Sequence, residues 1–178
     1  MTTADVISSV KDKIRSVNDF PKKGIIFRDI TTALKDSETL KLMIDYLCNE
    51  FKDVKIDYIA GIESRGFIFG MPMAYKLDAG FVPIRKPNKL PAETISQEYA
   101  LEYGTDKIEI HTDAIQPGDN VLIVDDLLAT GGTAEAACKL IEKTGGNLVG
   151  VAFLIELEAL KGREKFDKDL KIVSMLKY

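Results

Sequence analysis

Two adjacent carboxylates, Asp125 and Asp126, stand beside a short run of small and hydroxyl-bearing residues that is suited to bind an anion. The four apolar residues before them, 121–124, predict a strand buried on both faces. The run after them, Ala129-Thr-Gly-Gly-Thr133, leads into a segment with helical spacing, of which Thr133 is the predicted N-cap. Backbone N–H groups at a helix N-terminus attract phosphate. Because carboxylates repel phosphate, the two aspartates need a different partner.

A ligand that satisfies both features carries a phosphate at one end and a vicinal diol beside it. Carboxylates accept hydrogen bonds from hydroxyl groups or meet a metal ion, and ligands of parallel sheets gather at the carboxyl ends of strands. Ribose 5-phosphate has this shape. The stretch is neither a Walker A loop nor a Gly-x-Gly-x-x-Gly turn. In the purely structural alternative, Asp126 forms a turn and the glycines only interrupt the chain.

A second polar turn, Glu63-Ser-Arg-Gly66, also follows an apolar strand. Its arginine, Arg65, and its backbone N–H groups could hold pyrophosphate at the carboxyl end of that strand. Taken alone, however, this turn is better explained by an arginine that faces solvent.

Composition narrows the class of protein. The chain has 178 residues, 46% of them apolar, so it is expected to form one domain with a substantial core. Its net charge of −4, spread along the chain, argues against nucleic-acid binding. Cys48 and Cys138 lack metal-ligand spacing, which favours buried thiols in a reducing compartment. The N-terminal segment lacks the apolar core of a signal peptide, and no apolar run approaches the roughly 20 residues that span a bilayer. We therefore expect a soluble, cytoplasmic protein.

Apolar spacing predicts strands that alternate with helices along most of the chain. Helices are predicted over residues 4–17, 37–52, 67–76 and 133–143, and strands over residues 56–62, 81–85, 107–111, 121–124, 147–157 and 170–176, the last at a sheet edge. This alternation indicates an α/β domain with a mostly parallel central sheet flanked by helices.

The segment Lys86–Tyr103 fits no periodic pattern well. A stretch of this length without an element is unusual in a compact domain, so it is either a functional lid or a missed element. Its lysine, glutamate and tyrosine side chains would suit a lid over a polyanion. A disordered surface loop is the alternative.

The stretch VLIVDDLLATGGTA, residues 121–134, resembles the 5-phosphoribosyl-1-pyrophosphate (PRPP) motif of type I phosphoribosyltransferases. Three further segments resemble the adenine-specific members of that family: FPKKGIIFRD (20–29), GIESRGF (61–67), and RKPNKLP (85–91) leading to LEYG (101–104). The resemblance runs from about Ile14 to the C-terminus. It implies a single domain over residues 1–178, with a small hood over the base mainly from about 1–35 and a flexible lid over about 86–103.

This resemblance also implies a function. The expected reaction is transfer of the 5-phosphoribosyl group of PRPP to adenine, giving AMP and pyrophosphate in purine salvage. Mg²⁺ is expected to arrive with PRPP and pyrophosphate rather than on metal ligands of the protein. Expected partners are these small molecules and a second copy of the chain in a homodimer, with no nucleic acid and no membrane.

For the PRPP site, the resemblance implies a role for each matching residue. Asp125 and Asp126 bind the ribose hydroxyls. The 5′-phosphate is bound by the loop residues Ala129, Thr130, Gly131, Gly132 and Thr133. Arg65, Arg85 and Lys89 serve the pyrophosphate, and a non-proline cis peptide is expected near Glu63-Ser64.

For adenine, the family's pocket corresponds to Ile26, Phe27 and Arg28, with Leu157 on the other side. Apolar and aromatic groups can sandwich a flat base, and backbone groups of Ile26 and Arg28 can read its edge. The catalytic residues that the resemblance implies are Arg65, Lys89, Glu102 and Tyr103. Glu102 either handles a purine ring proton or supports the cationic ribosyl centre, and the sequence leaves both roles open.

Two other functions were weighed. A 6-oxopurine phosphoribosyltransferase commonly carries a lysine after the phosphate helix for the exocyclic oxygen, and the segment 151–160 contains none. A non-enzymatic PRPP-binding regulator on the same fold would call for a DNA-binding module and a basic face. This short acidic chain shows neither.

Overall fold

The computed structural model describes residues 2–100 and 104–178, which divide into two units with the boundary between Tyr46 and Leu47. The amino-terminal unit contains helix α1 (Thr3–Lys13), strands β1 (Arg15–Asn18) and β2 (Ile26–Asp29), helix α2 (Thr31–Leu34) and the first turns of helix α3 (Ser37–Glu50). Strands β1 and β2 pair antiparallel as a hairpin. The helix predicted over residues 4–17 is therefore too long: it ends at Lys13, because the chain is already extended at Ile14.

The carboxyl-terminal unit is built on a five-stranded parallel sheet, as the sequence predicted. Its strands, in the order in which they lie side by side, are β4 (Gly80–Ile84), β3 (Tyr58–Ile62), β7 (Asn120–Leu128), β8 (Asn147–Glu156) and β9 (Ile172–Lys177). Helices α4 (Gly66–Lys76) and α5 (Gly132–Thr144) connect β3 to β4 and β7 to β8. Runs of apolar residues form β7 and β8 because both faces of these strands are buried. The edge position predicted for the last strand is confirmed.

The order of the strands creates a switch point. From β3 the chain crosses to β4 on one side, whereas from β7 it proceeds to β8 and β9 on the other side. Strands β3 and β7 are therefore neighbours whose following loops diverge. Open α/β sheets bind ligands in the crevice that such divergence leaves at the carboxyl ends of the strands.

A separate antiparallel hairpin contains a strand, β5 (Thr94–Ala100), that was not predicted from the sequence. Strand β5 pairs along its whole length with β6 (Thr105–His111). Of the two alternatives for Lys86–Tyr103, a missed element is thus confirmed over residues 94–100. Residues 101–103 of that stretch lie outside the described residues.

The half of this hairpin nearer its turn is fixed by a polar cluster beside the end of β4. The Lys86 ammonium donates to the hydroxyl of Tyr99 (2.7 Å) and forms an ion pair with Asp106. The Tyr99 hydroxyl in turn donates to the same carboxylate (3.0 Å). A strand-to-strand contact between Arg85 and Glu109 adds two backbone hydrogen bonds. The hairpin is thereby attached to the central sheet next to the switch point.

Two smaller features bear on the sequence predictions. Cys48 and Cys138 are buried thiols that form no disulfide, as expected. Burial raises the pKa of the Cys138 thiol to about 12, which keeps it protonated. None of the helices among residues 2–100 and 104–178 combines the length and the apolarity that a membrane crossing needs.

Candidate active site

Asp125 and Asp126 lie within β7, at the point where this strand continues beyond the end of β3. The last pair between the two strands joins Gly61 to Val124, and Asp125 pairs only with Phe153 of β8. The predicted strand, residues 121–124, is therefore too short. Oδ1 of Asp125 accepts the backbone N–H of Asp126 at 2.8 Å. The two carboxylates thus stand at the switch point of the sheet, where the sequence placed them.

The helix that follows β3 approaches these carboxylates closely. A Cβ on Gly66, the first residue of α4, would lie 2.6 Å from the carbonyl oxygen of Val124 and 3.1 Å from Oδ1 of Asp125. Such a contact with backbone leaves no room for any side chain. The glycine of the Glu-Ser-Arg-Gly turn is therefore required by packing, a role that its sequence context did not reveal.

Arg65 joins the two predicted halves of the site. Its Nε lies 2.7 Å from Oδ2 of Asp126, and the side chain of Asp126 is only 10% exposed. The peptide bond between Glu63 and Ser64 is cis, as the family resemblance implied. The structure therefore brings the turn after β3 and the aspartates of β7 into direct contact.

Burial governs the titration of the aspartate pair. Loss of water raises the pKa of Asp125 well above its ordinary value, and the neighbouring charge of Asp126 raises it further. Burial also raises the pKa of Asp126, although the Arg65 guanidinium opposes this shift. A site that holds two crowded carboxylates is prepared for hydroxyl or cation partners rather than for a second anion.

Glu63 binds two of the cationic side chains that were predicted to serve pyrophosphate, Arg85 and Lys89. Its carboxylate accepts from Nε of Arg85 (3.1 Å) and from the backbone N–H of Lys86 (2.9 Å), and Nζ of Lys89 lies 3.9 Å away. Arg85 also donates to the carbonyl oxygen of Lys89 (3.2 Å). Burial favours the neutral acid, but these hydrogen bonds outweigh it and the pKa of Glu63 is lowered. Glu63 is a positioning residue that the sequence analysis missed.

The predicted phosphate loop occupies the start of α5. Gly131 is the N-cap and adopts a left-handed conformation (φ 82°), so the predicted N-cap, Thr133, is wrong. A left-handed residue at this position favours glycine because a Cβ would clash with the backbone. Within the loop, Thr130 is exposed, Ala129 and Thr133 are half-buried, and both glycines are buried. The backbone N–H groups of the first turn of α5 thus begin beside the aspartates, as an anion site requires.

The residues predicted for the base lie in both units. Ile26, Phe27 and Arg28 form most of β2. Ile26 is exposed, Phe27 packs edge-to-face on Phe20 (ring centroids 5.2 Å apart), and Nη1 of Arg28 donates to Ser16 Oγ at 2.5 Å. In the other unit, Leu157 directly follows β8.

The backbone N–H of Leu157 donates to the carbonyl oxygen of Leu128 at 2.9 Å, so Leu157 adjoins the end of β7. Glu102 and Tyr103, two of the predicted catalytic residues, lie outside the described residues.

The donor set of the site was tested against Mg²⁺. Among residues 2–100 and 104–178, no three His, Cys, Asp or Glu side chains are grouped closely enough to hold a metal ion by themselves. Asp125 and Asp126 do offer carboxylate oxygens, and Mg²⁺ is usually bound by one or two carboxylates together with substrate phosphates and water. The residues present therefore fit a Mg²⁺ that is carried by a polyphosphate ligand.

Comparison with known proteins agrees with this geometry. A family model described as the phosphoribosyl transferase domain matches residues 31–177. The adenine phosphoribosyltransferase of Alkaliphilus metalliredigens is 59% identical over 170 residues, which cover 96% of this chain and 99% of the relative.

Two crystal structures extend the comparison to the fold. The adenine phosphoribosyltransferase of Thermoanaerobacter pseudethanolicus has a TM-score of 0.93 at 53% identity, covering 97% of this chain and 99% of its own. The enzyme from Saccharomyces cerevisiae, complexed with adenine and an imino-altritol bisphosphate, has a TM-score of 0.91 at 41% identity over 97% of this chain and 99% of its own. The chain therefore belongs to the phosphoribosyltransferase family and, within it, to the adenine phosphoribosyltransferases.

Proposed function

We propose that the protein transfers the 5-phosphoribosyl group of PRPP to adenine, forming AMP and releasing pyrophosphate. One observation carries this proposal: the aspartate pair of β7, the glycine-rich start of α5 and the arginine turn after β3 converge on one switch point of a parallel sheet. The diol site matches the hydroxyls of a ribose, the anion site matches its phosphate, and the cationic site matches its pyrophosphate.

In this reading each group of residues binds one part of PRPP. Asp125 and Asp126 accept hydrogen bonds from the ribose hydroxyls. The loop from Ala129 to Thr133, including Thr130, Gly131 and Gly132, donates backbone N–H groups and hydroxyls to the 5′-phosphate. Arg65 turns its guanidinium to the leaving pyrophosphate. Bound Mg²⁺ would help the guanidinium to neutralise the charge of the pyrophosphate.

Arg85 and Lys89 extend the cationic side of the site. Glu63 holds both side chains close to the turn that carries Arg65. This arrangement keeps the two positive side chains of Arg85 and Lys89 together although like charges repel, because the Glu63 carboxylate lies between them. Pyrophosphate would then meet a cationic surface that is already assembled.

Chemistry at C1′ requires that water be kept out. Cleavage of the bond to pyrophosphate creates a cationic ribosyl centre that water would trap, so we propose that the segment 86–103 closes over bound PRPP. Within it, Tyr103 donates its hydroxyl to phosphate, and Glu102 serves the reacting centre. The hydrogen bond between Lys86 and Tyr99 ties this segment to the end of β4, so the proposed cover would remain attached to the sheet.

For the base, we propose that Phe27 contacts a face of adenine and that the backbone of Ile26 and Arg28 reads its edge. The Arg28 side chain supports this division of roles, because it already donates to Ser16 within the hairpin of β1 and β2. Backbone groups suit adenine, whose edge alternates acceptor and donor.

The assay that tests the function also tests this division. Adenine, PRPP and Mg²⁺ together are expected to yield AMP, whereas hypoxanthine is expected to yield little IMP. Truncating Arg28 to Ala should preserve this preference, since the recognising groups are on the backbone. Both products are measured by chromatography under equal substrate concentrations. Equal use of the two bases by the wild type would contradict the proposed function, and equal use by Arg28→Ala alone would contradict only the backbone reading.

We further propose that the chain acts as a homodimer through one face of α4. Ile68, Met71 and Tyr75 lie three and four residues apart on this helix, and all three are exposed, Tyr75 by 92%. An apolar stripe of this kind favours association with a complementary surface, and a second copy supplies the same surface.

Sedimentation velocity should therefore show a dimer for the wild type and a monomer for Met71→Glu with Tyr75→Glu. Burying two new carboxylates at an apolar interface is costly because they lose water without gaining partners. Leu160→Glu, which also places a charge on an exposed apolar residue, is the matched control and should remain dimeric. An unchanged dimer in the α4 variant would refute this face as the interface.

The cytoplasm is the proposed location. Cys48 and Cys138 are both buried and form no disulfide, which suits a reducing compartment.

A further inference from the structure

The phosphate loop is in backbone contact with a distant glycine. After β8, the chain forms a short 3-10 segment, Gly162–Lys165. A Cβ on Gly162 would lie 2.3 Å from the carbonyl oxygen of Ala129 and 3.0 Å from the backbone nitrogen of Gly131. Conversely, a Cβ on Gly131 would lie 2.5 Å from the carbonyl oxygen of Gly162. The two backbones therefore touch directly, with no space for a side chain on either.

Arg163 holds this 3-10 segment in place. Its Nε donates to Oε1 of Glu156 (3.0 Å) and its Nη2 to Oε2 (2.5 Å), a two-point contact with a carboxylate that is 6% exposed. Nη1 also donates to the carbonyl oxygen of Ile172 (3.1 Å), and Nη2 to Ser174 Oγ (3.3 Å). Because the fork of a guanidinium matches a carboxylate in only one plane, these bonds fix the orientation of Arg163. Its neighbour Gly162 is fixed with it.

A second contact joins the same segment to α5. Nζ of Lys165 lies 3.8 Å from Oε2 of Glu135, which belongs to the first turns of that helix. The segment thus meets both the loop that precedes α5 and the helix itself. This arrangement connects the end of β8 and the first half of β9, where Arg163 is bound, to the residues assigned to the 5′-phosphate.

We propose that Gly162, held by the Arg163–Glu156 ion pair, is a positioning residue for binding of the 5′-phosphate. It fixes the backbone of the loop Ala129–Gly131 in the orientation that directs N–H groups at phosphate. The proposal rests on the proposed function of that loop. It gives a role to the sequence Lys161–Glu164, which the PRPP and adenine sites leave unused.

The physical reason is the directionality of hydrogen bonds. An N–H group loses most of its strength as a donor when the angle at hydrogen falls toward about 120°. A loop of small residues has few side-chain contacts that could resist tilting, so its orientation depends on whatever its backbone touches. Gly162 supplies that contact, and a single added methyl group would displace the loop.

The test separates the phosphate from the rest of the nucleotide. Dissociation constants of AMP and adenosine, which differ by the 5′-phosphate alone, are measured by calorimetry for the wild type and for Gly162→Ala. The ratio of the adenosine constant to the AMP constant should fall at least about tenfold in the variant, the equivalent of one charge-assisted hydrogen bond. The KM for PRPP should rise more than kcat falls, because the phosphate contact is present before and during the reaction.

Two further variants show whether the effect is specific. Gly118→Ala forces an alanine into a left-handed conformation (φ 92°) with open space around it, at the opposite end of β7 from the phosphate loop. It should lower thermal stability and leave the ratio unchanged. Arg163→Lys keeps the charge but cannot make the two-point contact with Glu156, and it should lower the ratio in the same direction as Gly162→Ala.

The outcomes are distinct. A ratio that stays at the wild-type value in folded Gly162→Ala, or that falls equally in Gly118→Ala, overturns the positioning role. A wild-type ratio near one would instead contradict the phosphate loop itself, and with it the proposed function.

Discussion

Replacing Asp125 with Asn is expected to stabilise the free protein while lowering kcat/KM for PRPP by about ten- to hundredfold. The loss of activity follows from the ribose hydroxyls, since a charge-assisted hydrogen bond is worth about 1.5–3 kcal/mol and the neutral amide provides less. The gain in stability follows from removing a buried charge beside Asp126. Asn keeps an oxygen that can accept the backbone N–H of Asp126. Melting temperature and steady-state kinetics measure the two effects.

The stability effect has a defined dependence on pH. The pKa of Asp125 in the folded protein lies above its ordinary value of 3.8. Between these two pKa values the folded state holds a proton that the unfolded state has released, so the free energy of unfolding falls as the pH rises. Above the raised pKa the destabilisation is complete. The advantage of Asp125→Asn should therefore be largest there and should shrink as the pH falls toward 3.8.

Asp57 supplies a matched control with the opposite sign. It lies just before β3, and its Oδ2 accepts the backbone N–H of Asn120 at 2.8 Å, a hydrogen bond that lowers its pKa. Asp57→Asn should lower the melting temperature and leave the KM for PRPP unchanged. If Asp125→Asn lost stability as Asp57→Asn does, or kept wild-type kcat/KM, the assignment of Asp125 to a crowded diol site would be wrong.

Glu102→Gln is expected to lower kcat by about 10²–10⁴-fold, the usual range for a group that moves a proton or balances charge in the transition state. The substitution keeps the shape and the hydrogen-bonding capacity of the side chain but removes its charge. PRPP affinity should change much less, because this interaction is made mainly in the transition state. Single-turnover formation of AMP and calorimetric titration with PRPP separate the two quantities.

Glu98→Gln is the control for this substitution. Glu98 is exposed on β5, four residues earlier in the same segment, so it undergoes the same chemical change outside the proposed reacting centre. It should retain wild-type kcat. Wild-type chemistry in Glu102→Gln would remove Glu102 from the mechanism and leave the segment 86–103 as a simple cover.

The central sheet and its two polar turns could be predicted because each depends on local sequence. A strand buried on both faces, such as β7 or β8, is a continuous apolar run whatever its partner. The aspartate pair and the Glu-Ser-Arg-Gly turn follow such runs directly, and parallel strands bring their carboxyl ends to one edge. Local pattern therefore predicted the fold class and the position of both turns at the carboxyl ends of strands, whereas the contact between Arg65 and Asp126 was not predicted.

The remaining elements depend on partners that a local pattern does not contain. Strand β5 carries polar residues at most positions and is stabilised by seven pairs with β6, while only Ile95 and Tyr99 pack toward the core. The short hairpin of β1 and β2 was missed for the same reason. None of β1, β2 and β5 has enough alternation of apolar and polar residues to be recognised without its pairing partner.

Within the site, the missed residues act through contacts that are distant in sequence. Glu63 binds cations more than twenty positions away, and Gly162 meets a loop some thirty positions before it. The N-cap was misplaced because a hydroxyl-bearing Thr133 is the usual choice, whereas the close approach of Gly162 favours a left-handed glycine at position 131. The types of residue in the loop do not reveal a close backbone contact with a segment that is distant in sequence.

The pairing of β3 with β7 also determines when the site can come into existence during folding. Asp57 and Asn120, at the start of these strands, are 63 residues apart and are hydrogen-bonded. Closing so long a loop costs entropy before any contact is gained, and folding slows as contacts become less local. The arginine turn follows one strand of this pair and the aspartates belong to the other, so they meet only once the two strands have paired. A refolding or newly synthesised chain is therefore inactive until β3 and β7 have paired. Recovery of enzymatic activity thus measures the completion of the central sheet.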